Sequence, residues 1–277
     1  KYFDFPDYII AQDLKTLRVF TPKMKVYGFK LDCFSSHRVQ FDGLLAEMAK
    51  NAGAKITMNT ALTKILKRKN NSELYVTSNG RFTADYVIDA SGSLAHVARL
   101  RGSERPKNLV PTLYAQCQGD FSPSFDVYIG NMAPGGYAWV IPKGKIANVG
   151  LGVDPRRCKA DLKELLNEFV EKLGLEILSY GGGWIPMGGP ISKLVNDNVL
   201  SVGDSAGLVM PTNGGGIGQA IVSGKLAADS IISNIEDGVP LNSYEKKLKF
   251  IMQKPLKISL RSNKIFTKIM YNELLTE

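Results

Sequence analysis

The spacing of hydrophobic positions along the chain predicts a mixed α/β protein. Apolar side chains at helical spacing predict helices over residues 41–51 and 159–173, and Gly53 favours the end of the first helix. Residues 55–58 are predicted as a strand. An antiparallel group of strands is predicted from short apolar runs at residues 113–118, 125–129, 137–141 and 147–153.

The segment from residue 199 to 235 combines a strand, a sharp turn and a glycine-led helix. Residues 199–202 form an apolar run, Gly203 permits a turn, and Asp204 places a carboxylate at the strand's carboxyl end, where open α/β sheets bind ligands. Gly214, Gly215 and Gly216 then precede a predicted helix over 217–235. A helix N-terminus offers backbone N–H groups and positive potential, and glycines let a ligand approach them. This arrangement predicts a flavin site. The alternative is a purely structural role, in which the glycines form a turn and Asp204 caps a helix or forms a turn.

A second segment, residues 134–144, carries two aromatic residues on one predicted strand. Tyr137 and Trp139 are two positions apart, so their side chains point to the same face. They would wall an apolar cavity while the phenol and the indole N–H find polar partners. The alternative is that the two aromatic side chains pack in an ordinary sheet core.

Both segments resemble the geranylgeranyl reductases. Residues 199–217 are similar to the second flavin motif of glutathione-reductase-type flavoproteins. The spacing of Pro134, Tyr137, Trp139 and Pro142 resembles the Pro-x-x-Tyr-x-Trp-x-x-Pro signature that lines the isoprenoid tunnel in that family. The archaeal enzymes that saturate geranylgeranyl chains of membrane lipids are most similar. The resemblance implies an α/β, glutathione-reductase-type FAD-binding fold, incomplete at its N-terminus, with an inserted antiparallel-sheet substrate domain.

The resemblance also implies a division of the chain and a set of site residues. Residues 1–110 would form part of the FAD-binding domain, 111–195 the substrate domain, 196–235 the second flavin motif and 236–277 C-terminal helices. Catalytic residues are not assigned, and neither is a metal site. The implied contacts are Arg38 to the dinucleotide, Ala61 to the adenine end, Asp204 to the ribityl chain, Gly215, Gly216 and Ile217 to the flavin ring, and Tyr137 and Trp139 to the substrate.

The implied activity is FAD-dependent reduction of double bonds in geranylgeranyl chains of archaeal-type membrane lipids or their precursors. The substrate partner is an isoprenoid lipid, and the electron donor stays open between reduced nicotinamide and ferredoxin. A flavin-dependent monooxygenase and a non-catalytic isoprenoid binder are the alternatives. The family's Gly-x-Gly-x-x-Gly unit does not occur before Arg38, so we expect the sequence to be a piece of a longer protein.

Composition narrows these alternatives only slightly. The net charge is +9, but the lysines are scattered without a basic stripe interleaved with aromatics, so nucleic acid is not an expected partner. Three cysteines without paired spacing argue against a disulfide framework or a zinc site. Gly181 to Gly183 are predicted to lie in a loop. Residues 244–271 are basic and amphipathic, with Pro255 predicted to divide them into two helical pieces. These helices would pack on the domain or lie on a membrane, in a cytoplasmic or peripheral protein.

Overall fold

The computed structural model describes residues 6–68 and 72–269, with side chains described as far as Ile265. The chain divides into two compact units, each built from separate stretches of sequence. The first unit contains Lys1–Thr57, Pro111–Gly183 and Thr267–Glu277, and the second contains Met58–Val110 and Trp184–Phe266. The helices are α1 (Arg38–Asn51), α2 (His96–Arg101), α3 (Leu162–Lys172), α4 (Ile217–Asp237) and α5 (Ser243–Ile269). The strands are β1 (Ile10–Phe20), β2 (Val26–Ser36), β3 (Leu62–Lys67), β4 (Glu73–Thr77), β5 (Gly80–Phe82), β6 (Val87–Asp89), β7 (Leu109–Gln118), β8 (Ser124–Tyr128), β9 (Tyr137–Lys143), β10 (Ile146–Gly152), β11 (Glu176–Pro186), β12 (Val195–Asn196) and β13 (Val199–Ser201).

The first unit is organised around a seven-stranded sheet with the strand order β11-β7-β10-β9-β8-β1-β2. The four strands predicted between residues 113 and 153 correspond to β7, β8, β9 and β10, so those predictions are confirmed. Strands β9 and β10 form an antiparallel hairpin in which Gly150 lies opposite Trp139. Strand β1 pairs with β2 in antiparallel and with β8 in parallel, so β1 and β2 belong to the same sheet as the predicted substrate strands.

Helix α3 covers one face of this sheet and closes the first core. Asp161 caps the helix, because its carboxylate accepts the Lys163 N–H at 2.6 Å. Strand residues alternate between faces, so every second side chain of β7 to β10 points toward α3. The core consists of buried side chains from both layers: Ala115, Cys117, Tyr128, Ala138, Val140, Ala147, Val149 and Leu151 from the sheet and Leu166, Phe169 and Val170 from α3.

The second unit contains two small sheets and the helices α2, α4 and α5. Strands β6 and β13 pair in parallel, with Val87 opposite Val199, and β12 pairs with β13 in the opposite direction. Strands β3, β4 and β5 form an antiparallel sheet of their own. The second core lies around β13, α4 and α5 and includes Leu200, Val202, Ala206, Leu208, Ala227, Tyr244, Leu248, Met252 and Leu256.

Three local predictions are wrong. Residues 55–58 are exposed and lie outside every strand of the described chain, at the point where the chain passes from one unit to the other. Gly181 to Gly183 lie within strand β11 rather than in a loop. Pro255 does not divide the C-terminal segment, since α5 continues through it from Ser243 to Ile269. Residues 270 and 271 of that predicted segment lie outside the described residues.

The division into two units differs in one respect from the predicted segments. Residues 6–57 lie in the unit of the predicted substrate sheet, whereas residues 58–110 lie with the glycine-led helix α4. The assignment of each segment to a flavin or a substrate domain stays a prediction. In the part of the chain that is described, no helix is both long and apolar enough to span a membrane.

Candidate functional site

The second unit contains a tight corner at the end of β13. Gly203 has a φ of 54°, a backbone conformation that residues other than glycine rarely adopt. Its N–H donates to Ser223 Oγ of α4 at 2.9 Å. A Cβ at this position would lie 3.0 Å from the Cβ of Ala220. Gly203 therefore permits both the turn and the close approach of the strand end to α4.

The corner places Asp204 against the N-terminus of α4. Asp204 is half-buried in a short 3-10 turn, Gly203–Ala206, which follows β13. A Cβ built on Gly216 would lie only 2.8 Å from Asp204 Oδ1. Gly216 is the N-cap of α4 and makes no side-chain cap hydrogen bond. The carboxylate and the first turn of the helix thus meet in one small region, as the sequence predicted, and the absent side chain of Gly216 makes room for them.

The other two glycines of this loop have different structural reasons. Gly214 has a φ of 67°, which a tight turn requires. Gly215 is exposed, but its N–H donates to Asn213 Oδ1 at 3.0 Å and its carbonyl accepts the Met210 N–H at 2.9 Å. A ligand could use the Gly215 amide only if Asn213 releases it. The predicted contact between Gly215 and the flavin ring therefore requires the loss of an existing hydrogen bond.

Ala61 precedes β3 in the same unit, and its backbone is already paired. Its N–H donates to Ser78 Oγ at 3.1 Å, and its carbonyl oxygen accepts the Ser78 N–H at 2.9 Å. A carbonyl oxygen has two lone pairs, so one acceptor position is left for a ligand. An adenine amino group is a donor of the required kind, and the contact predicted at Ala61 would have to be of this type.

The turn after β6 is held by the buried carboxylate of Asp89. Asp89 is 1 % exposed and accepts hydrogen bonds from Ser91 N and Oγ at 3.0 and 2.5 Å and from Ala98 N at 3.3 Å. Ser205 Oγ donates to the Asp89 carbonyl at 2.5 Å. The ends of β6 and β13 are therefore tied together, and this fixes the turn that contains Asp204.

Arg38 is placed in the first unit, at the start of α1. Its guanidinium makes a bidentate pair with Asp42, with distances of 3.1 and 2.9 Å. Lys143 is half-buried, and its pKa is lowered because burial disfavours the ammonium ion and the positive charge of Arg38 adds repulsion. An anion near Arg38 and Lys143 would relieve both effects. Sequence reasoning missed Lys143, although it follows directly after the second proline of the aromatic motif.

Tyr137 and Trp139 lie on the sheet face opposite α3. Their ring centroids are 5.9 Å apart at an interplanar angle of 60°, a favourable edge-to-face geometry. Trp139 Nε1 donates to Asn148 Oδ1 at 2.7 Å across the hairpin. Burial raises the pKa of Tyr137 to about 12, so its phenol is neutral at physiological pH. The two rings present an apolar surface with their polar atoms satisfied or neutral.

Glycines in the neighbouring strands make room for large rings on this face. A Cβ on Gly150 would lie 2.4 Å from Trp139 Cζ2, and one on Gly181 would lie 2.4 Å from the phenol of Tyr114. The sheet thus alternates large and small residues, and the rings of Trp139 and Tyr114 lie over glycines. Sequence reasoning missed Tyr114 and the role of Gly181. Glycines inside strands often mark such close approaches, so the signal was present.

The predicted site residues therefore fall into two groups. Arg38, Tyr137 and Trp139 belong to the first unit, and Ala61, Asp204 and Gly215 to Ile217 belong to the second. Within the second unit the structure brings Asp204 and Gly216 together. Within the first it brings Tyr137 and Trp139 together. The roles predicted for all of these residues stay predictions.

A family model of the geranylgeranyl reductase catalytic domain matches residues 114–183. This range contains β8 to β10, α3 and the aromatic pair. A digeranylgeranylglycerophospholipid reductase 2 of Methanothermobacter thermautotrophicus is 34 % identical over 273 residues, covering 93 % of this chain and 70 % of that protein. A digeranylgeranylglycerophospholipid reductase of Methanococcus aeolicus is 31 % identical over 275 residues, covering 91 % and 69 %.

Solved structures agree on the fold. A geranylgeranyl bacteriochlorophyll reductase-like protein from Thermoplasma acidophilum has a TM-score of 0.81 and 25 % identity, covering 99 % of this chain and 79 % of that one. The flavin-dependent halogenase CmlS has a TM-score of 0.69 at 17 % identity, covering 88 % and 51 %, which shows a common fold alone. The predicted fold class is confirmed, and the similarity to the archaeal reductases establishes that the chain belongs to the geranylgeranyl reductase family.

Proposed function

We propose that this protein is an FAD-dependent reductase that saturates double bonds of geranylgeranyl chains in archaeal-type membrane lipids or their precursors. The observation that carries this proposal is the aromatic sheet face of Tyr137, Trp139 and Tyr114, within the segment that matches the family's catalytic domain. Relatives over nearly the whole chain are named as reductases of digeranylgeranylglycerophospholipids.

The geometry of the second unit fits an FAD molecule. Gly216 provides a helix N-terminus without a side chain, and a Cβ at this position would clash with Asp204 Oδ1, which lies 2.8 Å from it. A dinucleotide needs hydrogen-bond acceptors for its hydroxyl groups and donors for its ring oxygens. The Asp204 carboxylate supplies the first, and the N–H groups at the start of α4 supply the second.

Each of these groups has a definite task in the proposed site. Asp204 would accept hydrogen bonds from ribityl hydroxyls and thereby orient the cofactor. The amides of Gly216 and Ile217 would hold the flavin ring, and the helix dipole would favour negative charge there. Arg38 belongs to the first unit, and its contact with the dinucleotide, which the family resemblance implies, stays a prediction. When bound and reduced, FAD supplies hydride for the saturation of an alkene.

The aromatic face would bind and orient the isoprenoid chain. A geranylgeranyl chain is apolar and branched, so its binding is stabilised by burial against the rings of Tyr137 and Trp139 rather than by hydrogen bonds. The Trp139–Asn148 hydrogen bond helps to hold the indole over Gly150. A neutral Tyr137 adds no charge that the chain would have to desolvate.

The monooxygenase alternative has less support. Flavin-dependent halogenases and a probable FAD-dependent monooxygenase share the fold with this chain, but at 17 % identity or less. The family model instead matches the strands that carry the aromatic pair. The two activities leave different products, because a reductase adds hydrogen to the lipid and a monooxygenase adds oxygen.

The proposal is tested with the FAD-loaded protein, chemically reduced, and with geranylgeranyl lipids analysed by mass spectrometry. We expect products with added hydrogen and without added oxygen. The variant Trp139→Ala should lower turnover of a geranylgeranyl lipid more than that of a short prenyl alcohol, because a longer chain covers more of the aromatic face. Trp184→Ala, which changes the chain's other tryptophan, is the control. Oxygenated products would favour the monooxygenase. An equal loss of turnover on both substrates would show that Trp139 does not contact the chain.

A further inference from the structure

Helix α5 has one face that is firmly attached to the second unit. Side chains that recur every three or four residues are buried in the core or against it. Ser259 Oγ also accepts the Thr212 N–H at 2.9 Å, so the helix supports the loop that leads to Gly214. The buried side chains are Tyr244, Leu248, Met252, Leu256 and Ser259, and each is at most 8 % exposed.

The opposite face of α5 is strongly basic and carries the aromatic residue Phe250 toward its N-terminal end. At 100° per residue these positions lie on the side of the helix away from the buried set. Phe250 is 92 % exposed there, more than any other large hydrophobic residue described. The basic face consists of Lys246, Lys247, Phe250, Lys254, Lys257, Arg261 and Lys264, all of them exposed.

The charge of this basic face is uncompensated. Between residues 243 and 265 the sequence has a single acidic residue, Glu245. Its carboxylate is directed to the protein body, where it accepts the N–H groups of Leu194 and Val195 at 2.8 and 3.0 Å, and it pairs with Lys249 at 3.8 Å. Within the described residues, the six basic side chains of the basic face take part in no ion pair.

We propose that the basic face of α5 is a docking surface for an anionic lipid bilayer, with the helix lying in the plane of the membrane. Lysine and arginine on one helical face attract anionic headgroups. Phe250 would enter the boundary between headgroups and acyl chains, and the lysine stems around it would extend to the phosphates.

A bilayer fits this surface better than an acidic protein or a nucleic acid. An extended patch of point charges that includes one highly exposed apolar ring suits a fluid surface that is charged outside and apolar beneath. Five of the six basic residues are lysines, which lack the bidentate geometry that specific phosphate or carboxylate recognition favours. Ile251, Ile258 and Ile265 are 45 %, 54 % and 58 % exposed and add apolar area along one side.

The docking surface is argued from its own charges, but one consequence rests on the proposed function. Ser259 of α5 and Thr212 are hydrogen-bonded, and Thr212 lies in the loop before Gly214 and Gly216. A bilayer-bound α5 would therefore hold the proposed flavin loop close to the membrane, where a geranylgeranyl lipid resides.

The experiment is vesicle co-sedimentation of the full protein with phosphatidylcholine vesicles that contain or lack phosphatidylglycerol. We expect binding only to the anionic vesicles, and its loss at about 1 M salt, where the screening length falls to about 3 Å. Each basic residue near an anionic surface strengthens binding about fivefold. The triple variant Lys254→Glu, Lys257→Glu, Arg261→Glu should therefore bind at least about 100-fold more weakly.

Two matched controls separate this surface from general charge and hydrophobicity. The variant Lys30→Glu, Lys64→Glu, Lys159→Glu changes exposed lysines elsewhere. Each triple variant replaces three positive charges by three negative ones, so the formal net charge falls from +9 to +3 in both. Phe250→Ser should weaken binding about tenfold, whereas Phe82→Ser, at a residue 51 % exposed in β5, should not.

Loss confined to the α5 variants supports the proposal. Equal loss in both triple variants, or no binding of the wild type to anionic vesicles, overturns it. Binding of the wild type to an acidic protein or to nucleic acid, without binding to vesicles, also overturns it. Reduction of a detergent-dispersed lipid by the α5 variants is measured in parallel. If the wild type shows no reductase activity but its vesicle binding follows the predicted pattern, the proposed function fails while the docking surface stands.

Discussion

The substitution Gly150→Ala tests whether the indole of Trp139 lies over the sheet as described. The new Cβ would be 2.4 Å from Trp139 Cζ2 and 2.7 Å from the Cβ of Tyr114. Carbon atoms in ordinary contact are about 3.5–4.0 Å apart, so the ring must move by more than about 1 Å. That movement would break the hydrogen bond from Trp139 Nε1 to Asn148.

The expected cost has two parts. Overpacking of a filled site typically costs about 1–3 kcal/mol, and loss of one hydrogen bond adds about 0.5–1.5 kcal/mol. We therefore expect the free energy of unfolding to fall by about 2–4 kcal/mol. Gly183→Ala is the matched control, because Gly183 also lies in a strand but a Cβ there would have no neighbour within 4 Å. It should leave stability nearly unchanged.

The assay combines urea unfolding with tryptophan fluorescence. The chain has two tryptophans, so a Trp184→Phe background leaves Trp139 as the only reporter. In this background Gly150→Ala should shift the emission of Trp139 to longer wavelength, as the indole moves toward water. In a Trp139→Ala background the cost of Gly150→Ala should shrink, leaving only the contact with Tyr114. Unchanged stability and emission in Gly150→Ala would refute the placement of the ring.

Three further predictions address the flavin loop, a buried ion pair and the response to acid. Asp204→Ala should weaken FAD binding about 10- to 100-fold, since charge-assisted hydrogen bonds contribute about 1.5–3 kcal/mol; a fluorescence titration measures this, and unchanged affinity would remove Asp204 from the site. Arg101→Met should cost about 3–5 kcal/mol in urea unfolding, because it leaves Glu73, its partner at 3.1 Å, buried without its cation. The double variant Arg101→Met, Glu73→Met should recover much of that loss, and an equal cost would contradict the argument. The pKa of Asp154 is lowered, chiefly by its hydrogen bonds from Arg156, so its stabilising effect is complete above the unfolded pKa of about 4 and disappears as pH falls through the lower folded pKa. Asp154→Asn should therefore lower stability at neutral pH, and the loss should shrink steadily as the pH falls below about 4; a loss that does not change with pH would show that the charge is not responsible.

Much of the candidate site was readable as local pattern. The order of an apolar run, Gly203, Asp204 and three glycines before a helix predicted a strand, a turn and a helix start, and the structure has β13, a 3-10 turn and α4 in that order. Tyr137 and Trp139 were predicted to share a face because strands alternate with a period of two. Both predictions depend on neighbours in sequence, which backbone geometry fixes without help from the rest of the fold.

The failures arise where distant segments meet. Gly181 to Gly183 appeared to be a loop because glycines weaken a strand, yet they form part of β11, where Tyr114 occupies the space over Gly181. Pro255 appeared to end a helix, yet α5 continues because Met252, Leu256 and Ser259 are buried against the second unit. In both cases tertiary packing outweighed a local preference of about 1–3 kcal/mol.

The sequence by itself determined the family, the fold class and the residues that line up within each motif, because those depend on spacing along one chain. Only the tertiary structure decided why Gly216 must lack a side chain, since the reason is the carboxylate of Asp204, twelve positions earlier. It also decided that Gly215 is already hydrogen-bonded and that Lys143 lies near Arg38. Likewise, one face of α5 is buried while its basic face carries an exposed Phe250. These properties depend on which segments fold against each other. The free energy of that packing comes from contacts between residues that are distant in the sequence, so a local pattern does not contain it.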